Sequence, residues 1–167
     1  MQRIEKFIEA RLVEDETIAR TAGEGIHARW AYDGDDTLSA TGGEVYCPDA
    51  PRDGVYYENV TRGDEEGTVP GVQAESGHHI ARHDPARVLR QCAALRAIAG
   101  RHEAKNWEWY EDSRCLRMVS GVICEECSGD IGDVLWPCDE IRALAAIWFD
   151  HPDYQQEWAT DQGESKP

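Results

Sequence analysis

VICEECSGDIGDVLWPC, residues 122–138, decides how the rest of the chain reads. A β-prone run ends in Cys124-Glu-Glu-Cys127, and Cys138 follows after ten intervening residues, beside Pro137 at the start of a helical pattern. Two thiols three positions apart in a tight turn present their sulfurs from neighbouring backbone amides, and a helix N-terminus favours a third thiolate electrostatically. That is a three-thiolate arrangement suited to zinc. A closed structural site needs a fourth donor, and the residues offer two: His102, upstream of the strands, and Cys115, on the strand before the turn. A redox dithiol is the weaker reading of the pair, because Glu125 and Glu126 between the cysteines oppose thiolate formation.

Working outward, WEWYEDSRCLRMVSGVICEECSGD (107–130) alternates enough for two strands, with a turn expected near Ser120-Gly121. On the C-terminal side a helix is expected from Pro137, burying Ile141, Leu144, Ala145 and Trp148 and stopping before Pro152, with a short helical turn over 152–158 and a polar tail. Upstream, Asp84 is placed to cap a helix whose first position is Pro85 and whose apolar face carries Val88, Leu89, Cys92, Leu95 and Ala99. Residues 3–22 repeat Ile4, Phe7, Ile8, Leu12 and Ala19 at helical spacing, with Gly23 available to end them. Between these helices, Gly, Asp and Pro punctuate the β-prone pieces HARWAY, GEVYC and GVYYENV, which reads as a meander with long polar loops, DEEGTVPG among them. The expected fold class is α+β: an N-terminal helix, a small irregular antiparallel sheet, central and C-terminal helices and a zinc knuckle. One domain is expected over 1–159, with a zinc-binding subregion at 102–138 and a polar tail at 160–167.

The 167 residues suffice for a core without cross-links, so a metal here would fix local geometry more than rescue the fold. Net charge is −16, which argues against broad binding to nucleic acid or anionic membrane. By segment it is −2 over 1–24, −8 over 25–76, +4 over 77–106 and −10 over 107–167. The basic segment holds Arg82, Arg87 and Arg90, candidates for a small anion-binding face, although pairing with the surrounding acidic segments is the plainer account. His79 and His83 stand four apart, beside His78, a spacing that would put two imidazoles on one helix face; no third ligand is evident, and His83 next to the cap Asp84 reads as local hydrogen bonding. The charged N-terminus MQRIEKFIEARLVEDE lacks an export signal's apolar core, so the six cysteines are expected in a reducing cytoplasm, where clustered thiols bind metal. No phosphate loop, nucleophile elbow or paired-carboxylate motif specifies a reaction.

HIARHDPARVLRQCAALRAI (79–98), LWPC (135–138) followed by IRALA, HPDYQQEW (151–158) and RLVEDETIAR (11–20) resemble a family of small uncharacterised actinobacterial and actinophage proteins, a domain of unknown function. The resemblance covers about half of the chain and leaves 25–75 without likeness. It implies a ligand pattern of His, C-x-x-C and W-P-C, which maps to His102, Cys124, Cys127 and Cys138 and favours His102 over Cys115, but it implies no activity or substrate. The expected function is a non-enzymatic interaction protein, stabilised by zinc and acting on a host or phage protein. The alternatives are an acidic nucleic-acid mimic that inhibits a basic protein, and a metal-dependent hydrolase or nucleotide-modifying enzyme.

Overall fold

The computed structural model describes residues 3–25, 28–33, 43–49, 60–61, 72–110, 118–129 and 132–160. They form an α+β structure of four helices and two small antiparallel sheets. The chain divides into two compact units, one made of 1–12 with 94–167 and the other of 13–93.

α1 (Ile4–Gly25) carries the expected apolar spacing, and Ile4, Phe7, Ile8, Leu12 and Ala19 are all buried. The helix does not end at Gly23 but runs to Gly25. Glycine permits a left-handed stop without requiring one. Gly23 serves a close approach instead: a Cβ there would lie 3.3 Å from the Cβ of Ala28.

In the unit of residues 1–12 and 94–167, Phe7 organises an aromatic cluster. Its ring lies 5.1 Å from Trp158, 6.0 Å from Tyr154 and 5.8 Å from His151, centroid to centroid, and the Arg11 guanidinium hydrogen-bonds the His151 ring. β3 (Ala104–Tyr110) pairs antiparallel with β4 (Met118–Cys124), from Ala104 opposite Cys124 to Tyr110 opposite Met118. The turn expected at Ser120-Gly121 is not there. Ser120 pairs with Glu108 and Gly121 with Trp107, well inside the ladder, and the strands connect through 111–117, outside the described residues. A Cβ at Gly121 would meet nothing within 4 Å among the described residues. α4 (Asp139–Ala145) starts two residues later than expected and buries Ile141, Leu144 and Ala145. It tightens into a 3-10 turn over Ala146–Trp148 that leaves Trp148 half-buried, and a second 3-10 turn spans Gln156–Trp158.

In the unit of 13–93, β1 (Ala31–Tyr32) pairs antiparallel with β2 (Val45–Tyr46), and Val45 and Cys47 are fully buried. GVYYENV, apart from Val60, and the loop DEEGTVPG lie outside the described residues. α2 (Ala74–Arg82) is a helix of its own, which the sequence reading had not separated from its successor; His83 ends it, and α3 (Pro85–Ala99) follows at once. Asp84 caps α3 as its position promises, with Oδ1 accepting the Arg87 N–H at 2.6 Å. Cys92 is buried on α3.

Tyr32 is the keystone of this unit. Its ring lies flat against α2 at Gly77, where any Cβ would come within 2.2 Å of the ring, and its hydroxyl donates to the Val72 carbonyl at 3.1 Å and accepts the Gly43 N–H at 3.2 Å. Gly43 and Val72 bridge antiparallel at the same place. No described helix is long and apolar enough to cross a membrane.

Candidate metal centre

Antiparallel pairing explains why residues far apart in sequence meet. Because Ala104 stands opposite Cys124, the residue two positions before β3, His102, arrives beside the residues that follow β4. The end of α3 fixes it from the other side: the Arg101 and His102 N–H groups donate to the carbonyls of Ile98 and Ala99 at 3.1 Å each. The knuckle after β4 is equally well tied. Ser128 N–H donates to the Cys124 carbonyl at 3.0 Å, the Ser128 hydroxyl accepts the Val134 N–H at 3.0 Å, and Gly129 and Gly132 exchange backbone bonds of 3.1 and 3.0 Å. Gly132 has φ of +147°, a conformation that only glycine adopts without strain. Residues 134–136 then run back along the end of β4, with Cys124 N–H bonded to the Val134 carbonyl at 2.8 Å and Trp136 N–H to the Val122 carbonyl at 2.9 Å. This return delivers Cys138 to the N-cap of α4, where its backbone is extended and its carbonyl accepts the Arg142 N–H at 3.0 Å. Arg142 also reaches back to the Pro137 carbonyl through Nε at 3.0 Å.

These constraints bring four donors together. His102 Nδ1 lies 3.5 Å from Cys124 Sγ, 3.4 Å from Cys127 Sγ and 3.5 Å from Cys138 Sγ, and the four atoms all lie within 4.8 Å of one another. Three near-equal distances to one ring nitrogen are not three hydrogen bonds, since Nδ1 carries either one proton or one lone pair. They match the donor spacing around a single tetrahedral ion. Bonds of about 2.3 Å to sulfur and about 2.05 Å to nitrogen, opened to a tetrahedral angle, set sulfur and nitrogen about 3.5 Å apart. His102, Cys124 and Cys138 are buried, while Cys127 is partly exposed. Cys47 and Cys92 are buried elsewhere, and Cys115 lies outside the described residues.

The electrostatics are those of thiols that resist ionising side by side. Burial first, then hydrogen bonds with Cys124, Cys138 and Glu140, push the Cys127 thiol far up from its ordinary value. Burial likewise raises Cys138, against the lowering effect of a backbone hydrogen bond from Ile141. Glu140, held below the usual carboxylate range first by its own backbone N–H, accepts the Cys127 thiol at 3.4 Å. Clustered thiols that resist ionising next to one another ionise when a dication takes the place of their protons. Glu125 is turned away toward Lys105, with which it forms an exposed ion pair.

Among the described residues this is the one group of three or more candidate ligands; His78, His79 and His83 do not form another. His78 packs edge-on against Tyr32 at 4.9 Å, and the His79 and His83 rings lie 4.5 Å apart. Arg82 shares a shallow polar depression with Glu75, His78 and His79, Arg87 donates to the Arg82 carbonyl at 3.4 Å, and Arg90 is exposed on α3. Part of the basic segment pairs internally: Arg96 reaches Glu9 at 3.2 Å.

The model of a family of unknown function, DUF6221, matches residues 1–160. The chain belongs to this family. Its span takes in both units and all four donors, including residues 25–75, where the sequence carries no motif likeness. Comparison with curated proteins and with solved structures finds no match.

Proposed function

We propose that the protein is a non-enzymatic interaction protein of the cytoplasm, of actinobacterial or actinophage kind, whose surface is held in shape by one structural zinc ion bound by His102, Cys124, Cys127 and Cys138. The observation that carries the reading is the donor set: three sulfurs stand 3.4–3.5 Å from one imidazole nitrogen, the separation expected of donors that share one tetrahedral ion, and four protein donors fill such a shell without water. Three thiolates and one imidazole suit zinc among the available metals. A catalytic zinc site keeps a position open for water and sets a base beside it, so a hydrolase fits this donor set poorly. In this member of DUF6221 the metal fixes the junction of the α3 end, the β3–β4 hairpin and the start of α4, and the action falls to the surface those elements present. Protein purified without chelator should carry about one zinc per chain. Its X-ray absorption should fit three sulfurs and one nitrogen. A coordinated water, or metal-free protein that folds unchanged, would overturn the reading.

A further inference from the structure

Beside the metal centre, within the same unit, lies a pocket of about 290 Å³ that the metal chemistry does not use. Trp136, Pro137, Trp158 and Ile4 give it apolar walls, and Glu5 and Glu157 supply two carboxylates against the single cation Arg3. Glu5 Oε2 is buried, on a side chain that is 34% exposed, and has no hydrogen-bond partner. The nearest cation, Arg3 Nε, stands 4.0 Å away, beyond hydrogen-bond reach, on a side chain that is 74% exposed. A buried carboxylate oxygen without a donor marks a place where a donor is missing. The walls are not free to collapse onto it. Trp158 is anchored by Phe7 and Tyr154, Trp136 is tied to Val122 through its backbone, and Pro137 directly precedes the metal ligand Cys138.

Indole faces attract cations, and carboxylates pair with them. The start of α1 would favour an anion through its backbone N–H groups, but two carboxylates in the pocket oppose one. Between the two cationic side chains, the planar, weakly hydrated guanidinium both stacks on indole and offers paired donors to a carboxylate, which a compact ammonium does not. We propose that this pocket receives the guanidinium of an arginine side chain presented by a partner protein. The inference rests on the reading of the chain as an interaction protein and names the chemistry of its partner. It also gives the metal a purpose: the ion holds the Trp136-Pro137 wall in place.

The test uses the zinc-loaded full chain, the indole N–H signals in nitrogen-15 NMR spectra, assigned with Trp136→Phe, and three probes: N-acetyl-arginine methylamide, N-acetyl-lysine methylamide and acetate. The arginine probe should shift the Trp136 and Trp158 signals saturably, with a dissociation constant of roughly millimolar order for a single side chain. Glu5→Gln and Glu157→Gln should each weaken it roughly fivefold or more, and Glu24→Gln should leave it unchanged. Silent indole signals, binding indifferent to both pocket carboxylates, or acetate or lysine binding as tightly as arginine would overturn the proposal. Zinc measured on the same sample separates the two readings: missing zinc defeats the metal site, whereas silent indoles in zinc-loaded protein defeat the pocket alone.

Discussion

The two units solve the problem of a small core in different ways. In the unit of 1–12 and 94–167, side chains from three distant stretches converge on one point, His102 with Cys124, Cys127 and Cys138, beside an aromatic cluster around Phe7. In the unit of 13–93, one side chain reaches outward: the Tyr32 ring covers Gly77 while its hydroxyl ties Gly43 to Val72. The first arrangement depends on chemistry, since its thiols would have to lose protons to take up a cation. The second depends on shape, since it works only where the helix has no side chain. Their failures should therefore look different.

The largest effect should come from the four proposed ligands. Cys138→Ser should reduce bound zinc from about one per chain to a small fraction, because a three-donor site loses most of the several kcal/mol that a closed one supplies. Residue-resolved hydrogen exchange should then show protection lost over 102–140 and retained at the amides of Gly43, Val72 and Gly77. Loss at both sets would erase the contrast between the units.

Acidity comes next. Metal binding displaces thiol protons, so affinity should rise by at least about tenfold per pH unit below the thiol pKa values, read by chelator competition at pH 6, 7 and 8. Metal-free protein has the opposite slope. Cys127 and Cys138 are raised above their ordinary value of 9.0, so the folded state retains protons that the unfolded chain has lost. Stability is full below about pH 9 and falls as pH rises from there toward the raised values. Denaturant midpoints of metal-free protein at pH 8 and pH 10 check the sign.

Shape is tested by Gly77→Ala. A methyl group placed 2.2 Å from the Tyr32 ring must displace the ring or the helix, at about 1–3 kcal/mol, and should lower the denaturant midpoint whether or not zinc is bound. Dependence on zinc would mean that the two devices are coupled. The smallest effect is expected at Asp84→Ala, which removes the cap bond to Arg87 N–H and should cost about 1 kcal/mol with zinc content unchanged.

Much of this was legible in local sequence because the responsible forces are local. Helical periodicity marked the buried face of α1, and Asp84-Pro85 marked the start of α3, since a cap acts within three residues of itself. The turn placed at Ser120-Gly121 shows the limit: those residues resemble a turn, but a ladder reaching back to Trp107 and Glu108 holds them extended. The separation of α2 from α3 was not legible for a related reason. The one buried residue of α2 is a glycine, so no large apolar side chain marks its packed face, and a tyrosine more than forty positions upstream covers it.

By itself, the sequence determined the α+β class, the helix start at Asp84 and three of the candidate ligands, because C-x-x-C and an N-capping cysteine are short-range patterns. Spacing left the fourth ligand open between His102 and Cys115, and the family resemblance favoured His102. Only the tertiary structure placed His102 against the sulfurs, because the β3–β4 register sets which upstream residue returns to the knuckle, and a register is a property of two strands that neither strand carries alone. The same holds for the Tyr32 contact on Gly77 and for the pocket that Glu5 shares with Trp136 and Trp158. Each depends on which surfaces meet after folding.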